Sequence, residues 1–154
     1  MALDIEEILN EENVAKSLFF PKDFDNLRTL IWSNVFEFST NKETGEPYGE
    51  SVIWEKYALD SEDKHAIGKG IAYKRKTKNP NYSYEGYMIS LTQAIREISN
   101  GRGHGFDVEH KPAEGIYHAE ILFKPNPNNE FKKNDKTELK GYLCKVFSEL
   151  VANI

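Results

Sequence analysis

Gly101-Arg-Gly-His-Gly-Phe106-Asp-Val-Glu-His110-Lys-Pro-Ala-Glu-Gly115-Ile-Tyr-His118-Ala-Glu-Ile-Leu-Phe123 holds three of the four histidines and decides the fold class. Period-two alternation in residues 106–110 and 116–123, around a Pro112-Ala113-Glu114-Gly115 turn signal, predicts a β-hairpin. Tyr117, Ala119, Ile121 and Phe123 then share one side of the second strand, and His118 and Glu120 share the other with Ile116 and Leu122. In the first strand Phe106 and Val108 oppose Asp107 and Glu109. A turn centred on Ala113 and Glu114 pairs Val108 with Ala119 and Phe106 with Ile121, and sets Glu109 opposite His118 and Asp107 opposite Glu120.

One face would then carry three carboxylates and an imidazole. Facing carboxylates repel unless a cation or a proton offsets them. Asp107, Glu109, His118 and Glu120 are thus candidate ligands for a divalent metal. His118, with Glu109 or Glu120 to orient it, is a candidate general base. The same pattern also describes the wet face of an antiparallel sheet with an ordinary Glu109–His118 pair, in which case replacing both His118 and Glu120 by Ala should hardly alter stability. A shift of one residue in the turn would bring His110 opposite His118 and disperse the carboxylates.

Outward from this stretch, 154 residues with 39% hydrophobic and 29% charged side chains fit one globular domain, 1–154, with a substantial core. The single cysteine, Cys144, excludes an intramolecular disulfide and a cysteine metal knuckle, and fits a cytoplasmic setting. The acidic N-terminus does not read as a signal peptide, and no apolar run approaches a membrane span. The net charge of −5 hides an asymmetry: residues 1–63 hold 15 acidic and 5 basic side chains, and residues 64–154 hold 10 and 15. Such a split lets the halves pair within one fold, or provides a basic side for an anionic partner.

Asp4 and Glu7 resemble a capping box and predict a helix over residues 5–16. Leu18, Phe19 and Phe20 should bury before Pro21. Phe24, Leu27, Leu30 and Ile31 recur at helical spacing, whereas Phe36 and Phe38 alternate as in a strand. Residues 41–48 read as a turn, 51–59 as a central strand turning helical at its end, 60–64 as a charged loop, and 67–74 as a strand. Gly68 and Gly70 mark a bulge or the close approach of another backbone. Lys74-Arg75-Lys76-Thr77-Lys78, followed by Tyr82, Tyr84 and Tyr87, has the composition of a single-stranded nucleic-acid binder; the plainer alternative is a basic loop before a tyrosine-bearing strand. Ser90 and Gln93 predict a helix that stops at Asn100-Gly101, after which Arg102 and His104 lie on a glycine-rich loop able to hold an anion. Residues 124–134 read as a surface loop. Asp135 and Glu138 predict a last helix with Leu139, Tyr142, Leu143, Val146, Phe147 and Leu150 in a stripe.

Glu50-Ser-Val-Ile-Trp-Glu-Lys-Tyr57, Tyr84-Glu-Gly-Tyr87, Val108-Glu-His-Lys-Pro112 and His118-Ala-Glu-Ile121 together resemble a group of small bacterial proteins without assigned activity. The resemblance implies a bacterial cytoplasmic protein and carries over no catalytic residue or cofactor.

These features predict an α+β fold with an antiparallel or mixed sheet of four to five strands and helices mainly on one face. No complete nucleophile, phosphate-loop or metal motif is present. The primary functional expectation is therefore a binding or regulatory protein without a cofactor, acting through a protein partner or as a homo-oligomer. The alternative is a phosphodiesterase or nuclease-like hydrolase, with His118 as base, Asp107, Glu109 and Glu120 around it, a possible divalent metal, and Arg102, His104, Lys74 and Arg75 on the phosphates. That alternative requires His118 and at least two of the carboxylates to converge in a concave site.

Overall fold

A computed structural model describes residues 4–126, 128 and 131–153. In chain order the elements are β1 (Asn13–Phe20), α1 (Trp32–Val35), β2 (Glu50–Trp54), a 3-10 turn (Glu55–Tyr57), α2 (Ser61–Arg75), β3 (Ser83–Leu91), α3 (Thr92–Arg96), β4 (Ser99–Asn100), β5 (Gly103–His104), β6 (Phe106–His110), a second 3-10 turn (Pro112–Glu114), β7 (His118–Phe123), α4 (Lys133–Val146) and β8 (Val151–Ala152). The fold is α+β. Its antiparallel sheet has six strands in the order β6-β7-β2-β1-β3-β8, more than expected, and β4 and β5 form a separate small hairpin.

The sheet is covered on both faces. Val14, Leu18, Val52, Trp54, Met88, Val108, Ala119 and Ile121 point into the larger core with Ile95 of α3 and Leu139 and Leu143 of α4. Ala15, Ile53 and Tyr87 face the other way, under Ile67 of α2, and Phe19 and Tyr84 do so under Ala72. Strand β1 is therefore buried on both sides, and its sequence cannot alternate apolar with polar. This overturns the helix expected over 5–16: residues 4–9 form no regular element, and the chain then enters the middle of the sheet. The helix expected around Phe24 to Ile31 is likewise absent. Phe24 and Leu30 meet in an isolated bridge, Leu27 is exposed, and Phe36 and Phe38 bury outside any strand.

Residues 61–75, expected as loop and strand, are the longest helix. The Asp60 carboxylate accepts the Asp63 N–H at 2.8 Å, and acids in the first turn and bases in the last complement the helix dipole. Gly68 does mark a close approach, but to a ring: a Cβ there would lie 2.2 Å from Tyr84. At α4 the helix begins before Asp135, whose carboxylate accepts the Lys132 N–H at 2.8 Å. Tyr142 and Leu150 of the expected stripe are partly exposed. The loop expected over 124–134 falls partly on residues 127, 129 and 130, outside the described residues, and Lys133 and Asn134 are already helical.

The β6–β7 hairpin forms, and the residues within its two strands lie on the faces expected of them; Tyr117, which precedes β7, instead packs with Ala15, Ile53 and Tyr87 on the α2 side, opposite Ala119 and Ile121. The hairpin register differs by two residues: Val108 pairs with Ile121, Glu109 with Glu120 and Asp107 with Leu122. An even shift preserves faces and changes partners. The extra length comes from the 3-10 turn Pro112–Glu114, which delays the start of β7.

Elsewhere the sheet opens. Strands β1 and β2 pair only at Val14–Trp54 and Ala15–Ile53, whereas β1 runs on along β3 to Phe20 and β2 along β7 to Glu50. Beyond Ala15 the two strands part. Among the described residues no helix is long and apolar enough to cross a membrane.

Candidate functional site

The parting of β1 and β2 leaves a cleft of about 510 Å³. Its sheet side is formed by Ser17, Ser51, Ile53, Tyr117 and His118, and α2 contributes Ile67, Ile71, Lys74 and Arg75. Helical spacing sets Ile67, Ile71, Lys74 and Arg75 along one flank, apolar at one end and basic at the other.

Lys16 spans the gap. Its ammonium donates to the Ser51 carbonyl at 3.2 Å and pairs with Glu50 at 3.5 Å. Burial holds its pKa below the usual lysine value, partly offset by the Glu50 carboxylate. Glu50 also accepts the N–H groups of Glu37 and Phe38, each at 2.8 Å. Asp23, fully buried, accepts from Lys22 Nζ and from the Phe19 N–H, both at 2.9 Å. It thus replaces, at Phe19, the partner strand that β1 has lost.

His118 is 7% exposed because β7 is an internal strand and the Pro112–Glu114 turn folds over it. Its Nδ1 lies 2.9 Å from the Lys111 carbonyl, which can only accept, so Nδ1 carries the proton there. Nε2 is thereby presented to the cleft, 3.2 Å from Ser51 Oγ and 3.1 Å from Glu114. Contrary to expectation, the group that orients His118 is a backbone carbonyl and not Glu109 or Glu120.

The charges of the cleft do not balance. Its three carboxylates, Asp23, Glu50 and Glu114, each face a cation or the imidazole. Arg75 donates to the Tyr82 hydroxyl and lies over the Phe19 and Tyr82 rings, but neither it nor Lys74 has a carboxylate partner among the described residues. Ser17 adds a buried hydroxyl with no hydrogen-bond partner among the described residues. A buried polar atom without a partner is costly and marks a place where a ligand atom can supply the missing bond.

Of the residues singled out from the sequence, His118, Lys74 and Arg75 converge here. The others do not. Asp107 pairs with Arg96 at 2.9 Å, Glu109 with Lys124 and Lys111, and Glu120 lies against Gly49. Among the described residues no group of three or more His, Cys, Asp or Glu side chains is placed to hold a metal ion, so the set Asp107, Glu109, His118 and Glu120 is dispersed. Arg102 pairs with Asp135 at 3.0 Å, and His104 is exposed opposite Ser99 in the small hairpin, both remote in the fold from the cleft lining. Tyr82, Tyr84 and Tyr87 are buried beneath α2, which removes them as stacking platforms for bases.

No protein-family model, no curated protein and no solved structure matches the chain. The case for a site rests on the cleft alone. Sequence reasoning missed Lys16, Ser17, Lys22 and Ser51; the one available signal was the pair Lys16-Ser17 interrupting an otherwise apolar run.

Proposed function

We propose that the protein is a binding or regulatory module whose ligand is a small anionic molecule seated in the cleft between β1, β2, β7 and α2. The observation that carries this reading is the charge accounting: Asp23 and Glu50 are paired with Lys22 and Lys16, Glu114 lies against the His118 imidazole, and Lys74 and Arg75 have no carboxylate partner among the described residues. An anion there gains two cations without having to displace an internal ion pair. The large exposed apolar side chains, among them Leu27, Leu59 and Tyr73, sit on separate segments. A protein partner or a second copy of the chain would thus be engaged by ligand-dependent contacts rather than by one broad apolar face.

Calorimetric titration of the protein with a panel of small carboxylates and phosphates tests the reading. Binding that is lost in Lys74→Glu, with an unchanged circular dichroism spectrum, is the expected result. Absence of binding by every anion at millimolar concentration overturns it.

One contact favours a second reading, hydrolysis of a phosphodiester. The Lys111 carbonyl fixes the tautomer that leaves Nε2 of His118 free to accept a proton in the cleft. Water would add to phosphorus, its proton passing to Nε2, as the P–O bond to the leaving alkoxide breaks. Turnover of bis(p-nitrophenyl) phosphate that disappears in His118→Ala supports this reading, and no turnover across pH 5 to 9 refutes it.

A further inference from the structure

The two cations without a carboxylate and the hydroxyl without a hydrogen-bond partner among the described residues, together with the apolar flank of the cleft, specify more than an anion. We infer that the ligand is a phosphate monoester on an apolar or aromatic body; the inference rests on the anion-binding reading given above. A carboxylate brings one charge and two oxygens, whereas a phosphate monoester brings about 1.5 to 2 negative charges and three terminal oxygens. Lys74 and Arg75 supply two positive charges, and Arg75 has guanidinium N–H groups beyond the one given to Tyr82. Ser17 lies two positions before Phe19 on the same face of β1, and Phe19 is the ring beneath the Arg75 guanidinium, 5.5 Å from its centroid. The Ser17 hydroxyl is therefore placed on the basic side of the cleft, where a third phosphate oxygen needs a donor.

The body of the ligand has its own seat. Ile53, Ile67, Ile71 and Tyr117 contribute most of the apolar lining, with Val52 and Phe19, and Ser51 and His118 line the same cleft. A volume of about 510 Å³ is large for a bare phosphate ion and falls in the range of small-molecule sites. Free phosphate should thus bind more weakly than its ester with an apolar group.

Phenyl phosphate, benzoate and inorganic phosphate separate these terms, because the first two share a ring and differ in the anion. Calorimetry at pH 7.5 should show phenyl phosphate binding at least tenfold more tightly than either of the other two. Lys74→Ala and Ser17→Ala should each weaken phenyl phosphate at least fivefold, and Arg75→Lys, which keeps the charge and the packing stem, should weaken it as well. Because the second ionisation of a phosphate monoester lies near pH 6, its affinity should fall several-fold between pH 7.5 and 5, while benzoate, still ionised, should change less. Benzoate binding as tightly as phenyl phosphate overturns the phosphate assignment and leaves the anion site standing, whereas phenyl phosphate binding that ignores Lys74→Ala overturns both. No binding by any of the three overturns both.

Discussion

Two glycines in α2, two residues apart, have opposite surroundings. A Cβ at Gly68 would lie 2.2 Å from the Tyr84 ring, which is buried and cannot swing away, whereas a Cβ at Gly70 would meet nothing within 4 Å. Gly70→Ala should stabilise the fold by up to about 1 kcal/mol, the helix-propensity difference. Gly68→Ala should destabilise it by about 1 to 3 kcal/mol, the cost of overpacking, even though the same propensity term favours it. Urea denaturation of the two variants decides; equal shifts would mean that α2 does not rest on Tyr84. His118 and Glu120 form a second contrasting pair. His118→Ala strands the Lys111 carbonyl and the Ser51 hydroxyl and should cost about 1 to 3 kcal/mol, while Glu120→Ala, which breaks no ion pair among the described residues, should stay within about 0.5 kcal/mol. Burial pushes the Cys144 thiol up to about 11, so alkylation at pH 8 should be slow in the native protein and fast in denaturant.

At the scale of elements, α2 is tied to the sheet by polar contacts that respond to pH. His65 Nδ1 lies 2.7 Å from the Tyr84 hydroxyl, and burial, with a smaller contribution from Lys69, holds the imidazole below its usual value of 6.5. Above pH 6.5 both folded and unfolded chains carry it neutral, and it contributes no pH dependence. As pH falls below 6.5 the unfolded chain takes up the proton first, so stability declines until the lowered folded value is passed. Wild type should therefore lose more stability than His65→Gln between pH 7 and 5 in denaturant titrations; parallel losses would contradict the burial of His65. The same helix shows why some elements were legible in the sequence and others were not. Side-chain faces in β6 and β7 could be read because a strand's period of two fixes them whatever the partner. Their register could not, since the 3-10 turn Pro112–Glu114 sets it. β1 was obscured by burial on both faces, and α2 by its two glycines, of which only Gly68 is required by packing. The cleft was invisible because it arises where strands more than 30 residues apart in sequence stop pairing.

For the whole molecule, the opposite charges of the two halves do not serve to join them. Among the ion pairs of the described residues only Arg28–Glu85 and Lys64–Glu55 connect residues 1–63 with 64–154. Cohesion comes instead from strand pairing across long sequence separations, which leaves the ends of the sheet as the vulnerable places. At one end, β6 is covered by Arg96, which donates to the Val108 carbonyl at 2.9 Å and pairs with Asp107. At the other, the C-terminal segment shields β3: Ser148 N–H donates to the Ile89 carbonyl at 2.8 Å, Val151 pairs with Tyr87, and Asn153 N–H donates to the Glu85 carbonyl at 3.1 Å. Deleting everything after Phe147 would bare the backbone groups of Glu85, Tyr87 and Ile89 along a long, apolar strand. Such an edge is a template for pairing with another chain. The truncated protein should therefore self-associate with rising concentration in sedimentation velocity, under conditions where the full chain does not change. Replacing Tyr87 by Lys would not restore it, because Tyr87 is buried against α2. Ile89→Lys, at a half-buried position on the same exposed edge, should suppress the association by placing a charge there. A truncated chain that keeps the sedimentation behaviour of the full one would show that β8 has no protective role.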